Sequence, residues 1–202
     1  IHSICLSAQH VVDDAIKVKE DWDPVLKQER KKDFIEEVSV EVFNYDGSRV
    51  LSANATPAEI IAYDAHHDLA AIKLNDVRQM PHVATLYPEA EIDELRLFDP
   101  TYSAGCSLLH DPFCMAGELT FLREIIDQKE YFMNSGSSIF GASGGGFFHT
   151  RTGKLLGMIC RVTTIQLGFG VGVLSWMNFA TSTKRLYEFF KDQELQFLYD
   201  PS

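Results

Sequence analysis

The sequence predicts an all-β protein, a barrel or a sandwich, and three observations support this fold class. Short apolar or alternating segments recur along most of the chain, and turn-forming residues separate them. A hairpin signal that ends in Asp-Gly directly follows one alternating segment. Helical segments do not alternate with the strands, as the crossovers of a parallel sheet would require. An antiparallel all-β architecture is therefore expected.

The first half of the chain carries the plainest strand signals. Residues 4–8 form a short apolar segment, which predicts a buried strand. Residues 38–43 alternate apolar and polar side chains, residues 44–47 (Asn-Tyr-Asp-Gly) predict a tight turn, and residues 49–51 resume the strand. Further strands are predicted at residues 60–63 and 69–74.

The second half continues the same pattern after an acidic loop that contains proline. Apolar segments bounded by turn residues again predict short antiparallel strands. They lie at residues 95–98, 102–108, 117–122, 146–150, 155–162 and 169–174.

Two segments differ from the strands. Residues 13–37 are dense in charges of both signs, with apolar residues scattered among them, and predict a helical or irregular insertion on the surface. Near the other end, Thr181-Ser182-Thr183 precedes Leu186, Phe189 and Phe190 at helical spacings. This pattern predicts a capped amphipathic helix whose apolar face packs on the β structure.

The composition of the chain disfavours several classes of binding partner and ligand. A chain of 202 residues with a net charge of −11 predicts one domain that binds neither nucleic acid nor anionic membrane surfaces. No apolar run reaches the ~18 residues of a membrane span. The spacing of the four cysteines (Cys5, Cys106, Cys114, Cys160) does not match a zinc site. We expect buried thiols in preference to two disulfides, and no metal or cofactor.

One glycine-rich segment, residues 140–146, holds a serine at position 143. Glycine lets the backbone adopt conformations closed to other residues and lets another molecule approach closely. A nucleophile flanked by inward-pointing backbone N–H groups needs this freedom. Taken alone, the segment is typical of a turn, because a reactive serine also requires a base and an orienting acid.

Candidates for both partners of the serine lie earlier in the chain. Of the seven histidines, His10 follows an apolar strand and a run of small residues. Asp68 stands at the start of the apolar segment 69–74. The resulting order of histidine, aspartate and serine is one of the three known orders of a Ser-His-Asp triad. It differs from the order in an α/β-hydrolase, which we exclude for that reason and for the lack of alternating helices.

These segments resemble the motifs of trypsin-like serine proteases with the chymotrypsin fold, most closely those of the Deg/HtrA-type protease domain. His10-Val11-Val12, the Asp-Leu-Ala run at residues 68–70 and Gly141-Ala142-Ser143-Gly144-Gly145 carry the resemblance. It implies two six-stranded antiparallel β-barrels with a C-terminal helix. The expected divisions are residues 1–90 with the insertion 13–37, residues 91–178, and residues 179–202. Only nine residues precede His10, so the N-terminal strands are expected to be incomplete.

The same resemblance implies a function for each site residue. Ser143 is the expected nucleophile, His10 the base and Asp68 the orienting acid, and the N–H groups of Gly141 and Ser143 form the oxyanion hole. The substrate is a peptide or protein, and a homo-oligomer or larger assembly is an open expectation. Because the expected substrate pocket has no acidic side chain, it favours a small or medium apolar residue over Lys or Arg. The pocket residues are Ser137, Ser138, Phe140, Arg161, Val162, Phe169 and Gly170.

Three residues depart from the family pattern. Ala142 replaces the Asp or Asn that precedes the nucleophile, Gln9 replaces the Ala before the base, and Gly146 replaces a Pro. These departures leave open a second hypothesis, in which a catalytically silent protease fold serves as a structural or protein-binding module.

Overall fold

The computed structural model describes residues 3–76, 80 and 82–200, which form two packed β units and a C-terminal helix. The helices are α1 (Gln9–Val12) and α2 (Thr183–Asp192), with short 3₁₀ helices at Asp13–Ala15, Glu89–Glu94, Ser107–Leu109 and Gln196–Leu198. The strands are β1 (Ile4–Ser7), β2 (Ile16–Asp23), β3 (Gln28–Ile35), β4 (Val38–Asp46), β5 (Arg49–Asp64), β6 (Leu69–Leu74), β7 (Pro100–Gly105), β8 (Phe113–Ile126), β9 (Lys129–Asn134), β10 (Gly146–His149), β11 (Leu155–Leu167) and β12 (Gly170–Thr181).

The first β unit is an antiparallel sheet of four strands in the order β1-β6-β5-β4. Strand β6, one of its two central strands, is buried along almost its whole length, as its sequence of five apolar residues interrupted only by Lys73 predicts. The predicted Asp-Gly turn joins β4 to β5, and Gly47 has the positive φ of 59° that such a turn requires. Within the described residues this unit has four strands, compared with the six of a full barrel.

The second β unit is a closed barrel of six strands, in the order β10-β11-β12-β9-β8-β7. This barrel confirms the architecture predicted for the second half of the chain. Its interior is filled by large apolar side chains, among them Leu119, Phe147 and Leu156, which are all inaccessible to solvent. A closed barrel leaves no free strand edge within its sheet and gives a rigid frame for the loops that connect its strands.

The charged insertion is a β-hairpin, so the prediction of a helical or irregular segment at residues 13–37 is wrong. Strands β2 and β3 pair in register from Ile16↔Ile35 to Asp23↔Gln28. The register sets Glu20 opposite Lys31 and Asp21 opposite Arg30. Opposite charges on facing positions stabilise antiparallel strands, so these two pairs favour the hairpin, whereas Lys19 and Lys32 face each other with like charge.

In the second half, one strand prediction is wrong and one strand was missed. Residues 95–98 form a turn after a 3₁₀ helix, where the Arg96 side chain donates to the backbone carbonyl of Asp93 at 2.7 Å. Strand β9 was not predicted at all. The turn before it uses Asp127 and Gln128 with φ values of 51° and 64° instead of glycine, so the usual hairpin signal is missing.

The four cysteines are free thiols, as expected. Only Cys160 is buried, whereas Cys106 and Cys114 are exposed and Cys5 is intermediate, which corrects the expectation of four buried thiols. Both exposed thiols lie at the ends of strands, where the chain leaves the barrel wall.

Helix α2 joins the two β units through one apolar cluster. Ser182 caps its first turn by accepting a hydrogen bond from the backbone N–H of Arg185 at 3.4 Å, as the sequence predicted. Leu186 and Phe189 pack against Leu69 of the first sheet and Met158 of the barrel. Helix α2 therefore holds the elements that carry the site residues described below.

Replacing Phe189 by alanine should lower the free energy of unfolding by about 3–5 kcal/mol, because Phe189 is fully buried in this cluster. Denaturant unfolding followed by circular dichroism measures the change. Phe169→Ala is the matched control, since Phe169 is fully exposed and its loss should change stability by less than about 0.5 kcal/mol. Equal effects of the two substitutions would contradict this role of α2.

Candidate active site

The imidazole of His10 is held by the carboxylate of Asp68. Strands β1 and β6 are neighbours, and their register pairs Ser7 with Ala70, so the residues just beyond the paired ends meet. His10 Nδ1 lies 3.0 Å from Oδ1 and 2.9 Å from Oδ2 of Asp68. The backbone N–H of His10 also donates to Asp68 Oδ1 at 3.1 Å. Two bonds from one residue fix both the position and the orientation of the ring.

The hydrogen bond with Asp68 raises the pKa of His10 above its ordinary value, although burial opposes it in part. The negative charges of Asp68 and Asp13 add to the increase. With Nδ1–H donated to a carboxylate, the neutral ring presents an unprotonated Nε2 on its other side. His10 can therefore accept a proton from a group in front of it.

A loop of residues 139–145, called the serine loop below, brings Ser143 to the same place. Gly144 has φ of +82°, and a Cβ at this position would lie 2.5 Å from Ser7 Oγ and 3.1 Å from Ala8 N. Only glycine permits this approach, so the serine loop packs against the end of β1 just before His10. Within the described residues, no hydrogen bond joins Ser143 Oγ to His10.

Ser143 and His10 share one cleft. Its volume is about 220 Å³, and it lies between the two β units. The residues that line the cleft are His10, Ile139, Phe140, Gly141, Ser143, Ile159, Cys160, Arg161 and Val162.

The backbone of the serine loop leaves two N–H groups without a hydrogen-bond partner among the described residues. The carbonyl of Phe140 accepts a hydrogen bond from Leu108 N at 3.1 Å. In a planar trans peptide, C=O and N–H point in opposite directions, so the N–H of Gly141 points away from Leu108. The N–H of Ala142 bonds to the carbonyl of Ile139 within the loop and that of Gly144 to Ile159 of the barrel, whereas within the described residues those of Gly141 and Ser143 make no hydrogen bond. This pair can stabilise a negatively charged oxygen.

Ala142 occupies the position where the family pattern has a polar residue. Its side chain is buried in the barrel core with Phe147 and Ile159. Its backbone holds the turn, because its N–H donates to the carbonyl of Ile139 at 3.2 Å and its carbonyl accepts from Gly145 N at 2.9 Å. An apolar core and two backbone bonds thus support the serine loop without a carboxylate.

The predicted pocket residues separate into three groups. Phe140, Arg161 and Val162 line the cleft. Ser137 and Ser138 line a separate space of about 10 Å³, which has room for about one water molecule. The structure places Phe169 and Gly170 in neither, because β11 and β12 stay paired as far as Leu167↔Gly170 and their hairpin carries both residues away from the barrel.

Two residues of the site were missed at the level of sequence. Leu108 was assigned to a strand, but β7 ends at Gly105. Leu108 adopts a left-handed φ of 52°, a conformation usually indicated in a sequence by glycine. Cys160 was noted only as a thiol. Burial, assisted by the charge of Asp68, raises its pKa to about 12. The Cys160 thiol therefore stays protonated in the cleft, which leaves Ser143 as the nucleophile available beside His10.

Comparisons with known proteins agree with this architecture. Residues 2–158 match the trypsin-like peptidase domain family. No curated protein matches the sequence. Of 279 matching solved chains, the crystal structure of Deg5 superposes with a TM-score of 0.58 at 16% sequence identity, covering 91% of this chain and 74% of that one. That likeness concerns the fold. No helix of the described residues is long and apolar enough to cross a membrane.

Proposed function

Since the chain belongs to the trypsin-like peptidase domain family, we propose that it hydrolyses peptide bonds as a serine endopeptidase. The observation that carries the proposal is that Asp68 accepts hydrogen bonds from both Nδ1–H and the backbone N–H of His10, which fixes the ring in the cleft that also holds Ser143. A serine in an ordinary turn or a structural histidine would not need a hydrogen-bonded His–Asp pair and a serine in the same cleft.

The proposed reaction uses each of the three side chains in turn. Ser143 Oγ attacks the peptide carbonyl while His10 Nε2 accepts the hydroxyl proton, and a covalent acyl-enzyme results once His10 passes that proton to the leaving amine. Asp68 keeps the tautomer of His10 with Nδ1–H and stabilises the imidazolium. Water then attacks the ester, with His10 again as base, and releases the second product.

The N–H groups of Gly141 and Ser143 stabilise the negatively charged oxygen of each tetrahedral intermediate in this proposal. Leu108 supports them by holding the carbonyl of Phe140 turned away from the cleft. Preorganised donors of this kind need no rearrangement at the moment of reaction, which makes them effective.

Gly141→Ala should lower kcat/KM by about 10²–10³-fold, the loss expected for one donor of an oxyanion hole. Gly141 has φ of +91°, and an added Cβ would lie 2.8 Å from Leu108 N, so the peptide must rotate. Hydrolysis of a fluorogenic peptide measures the loss. Gly153→Ala is the control, because Gly153 also has a positive φ of 67° but nothing lies within 4 Å of its added Cβ. Full activity of Gly141→Ala would argue against this oxyanion hole.

A second candidate function is a silent protease fold that binds proteins without cleaving them. The observation in its favour is that no hydrogen bond links Ser143 Oγ to His10 within the described residues. In proteases such bonds are often loose before substrate binds, so we place this candidate second.

A mixture of unstructured peptides tests the proposal against this alternative. The wild-type protein should generate new peptide termini, detected by mass spectrometry, and the Ser143→Ala protein should not. Cleavage by both proteins would indicate a contaminating protease. Retention of intact peptides without any cleavage would favour the binding module.

A further inference from the structure

Arg161 is the one permanently charged side chain among the described residues that line the cleft. It follows Cys160 on β11, and the pairing of β11 with β10 ends at Met158↔Gly146. Beyond that point the strand borders the cleft next to Ser143. A peptide that enters the cleft therefore lies beside Arg161.

The partner of Arg161 is weakly held. Its Nη1 lies 3.2 Å from Oδ2 of Asp127, whose side chain is 74% exposed in the turn between β8 and β9. The guanidinium also lies 5.8 Å from the centre of the Tyr131 ring. An exposed ion pair of this kind contributes only about 0–1 kcal/mol, so another carboxylate can replace Asp127 at little cost.

The guanidinium of Arg161 has more N–H donors than its two neighbours can accept from. Arginine carries five N–H donors in a planar fork that matches a carboxylate. Asp127 and Tyr131 together cannot occupy all five. The side chain is 42% exposed, which leaves part of the fork open to solvent and to a substrate.

We infer that Arg161 selects substrates that carry an acidic side chain beside the cleaved bond, with Asp127 as the counter-ion that such a side chain displaces. This inference rests on the proposed peptidase function. The acidic side chain binds at a different subsite from the small or medium apolar residue that the sequence predicts, because Ile139, Phe140 and Ile159 give the rest of the cleft an apolar lining.

The other charges near the cleft do not cancel that of Arg161. Asp68 is engaged by His10, and Asp13 accepts a hydrogen bond from Gln9 at 2.7 Å. The net charge of −11 acts mainly over longer distances. Salt at physiological strength screens exposed charges beyond about 8 Å, so the local guanidinium decides which side chain binds beside it.

Paired peptides test the inference, with Asp or Asn scanned through the positions that flank the cleaved bond. Fluorescence polarisation measures their binding to the Ser143→Ala protein, and hydrolysis by the protein with Ser143 intact gives kcat/KM. We expect the Asp peptide to be preferred by about tenfold or more at one position. Arg161→Ala should abolish this preference, and Asp127→Asn should increase it.

The matched control is Arg123→Ala. Arg123 also pairs with an exposed aspartate, Asp93, at 2.6 Å, but it lies outside the cleft. Its loss should leave the ratio between Asp and Asn peptides unchanged. A ratio that survives in Arg161→Ala, or Asp and Asn peptides weakened equally by that substitution, would overturn the inference.

The two proposals can fail separately. Cleavage of the Asn peptides without any preference for Asp would leave the peptidase standing and remove the role of Arg161. Binding that prefers Asp, without cleavage by the protein with Ser143 intact, would support Arg161 and contradict the peptidase.

Discussion

The Ser143→Ala protein is expected to hydrolyse peptides about a millionfold more slowly than wild type, the loss seen when the nucleophile of a comparable Ser-His-Asp hydrolase is removed. The reason is that alanine has no oxygen to form the acyl-enzyme, while His10 and Asp68 have no other nucleophile to activate. Single-turnover and steady-state hydrolysis of one fluorogenic peptide give the ratio of kcat/KM.

A stability measurement shows whether the lost activity of the Ser143→Ala protein comes from unfolding. Within the described residues, Ser143 Oγ makes no hydrogen bond, so its removal should change the free energy of unfolding by less than about 0.5 kcal/mol. Ser48→Ala is the control, because Ser48 lies in the exposed turn between β4 and β5 and should keep full activity. A Ser143→Ala protein with more than about a hundredth of wild-type activity would refute Ser143 as the nucleophile.

The second large effect is expected for Asp68→Asn, with kcat reduced by about 10⁴-fold, as in a comparable triad protease. The amide group of asparagine can turn its NH₂ toward His10 Nδ1, which then becomes the acceptor. The proton of the neutral ring moves to Nε2, the nitrogen that must receive the proton of Ser143. The substitution therefore leaves the ring in place and inverts its hydrogen-bonding roles.

The pH dependence of the same variant gives a second test. Asp68 raises the pKa of His10, and the base must be neutral, so wild-type kcat/KM should rise with pH through a pKa above about 6.5. Without the carboxylate, this pKa falls, and the residual activity of Asp68→Asn should rise at lower pH. A shift to higher pH, or a kcat reduced less than about tenfold, would contradict the role of Asp68.

The three candidate catalytic residues could be predicted because each lies at the junction of a strand and a distinctive short motif. His10 and Asp68 meet for a simple reason: they stand just beyond the paired ends of β1 and β6. Helix α2 could be predicted equally well, since its cap and its apolar spacing are local signals in the sequence.

Other features depend on contacts that have no local signal. The hairpin within residues 13–37 sets opposite charges face to face at two positions, and these pairs become visible only when the register is known. The carbonyl of Phe140, before the proposed oxyanion-hole donor Gly141, is held by the N–H of Leu108, a residue in a left-handed conformation without glycine. Strands β11 and β12 stay paired as far as Leu167↔Gly170. Their hairpin therefore carries Phe169 and Gly170 away from the cleft, and no local pattern in the sequence indicates this.

Labelling with a fluorophosphonate tests the central claim most directly, because this reagent reacts far faster with a serine that a neighbouring base activates than with an ordinary hydroxyl group. At neutral pH, mass spectrometry of the wild-type protein should locate one adduct, on Ser143, and the His10→Ala and Ser143→Ala proteins should remain unlabelled. Absence of label on folded wild-type protein, or label on another residue, would contradict the proposed serine peptidase and favour the binding module.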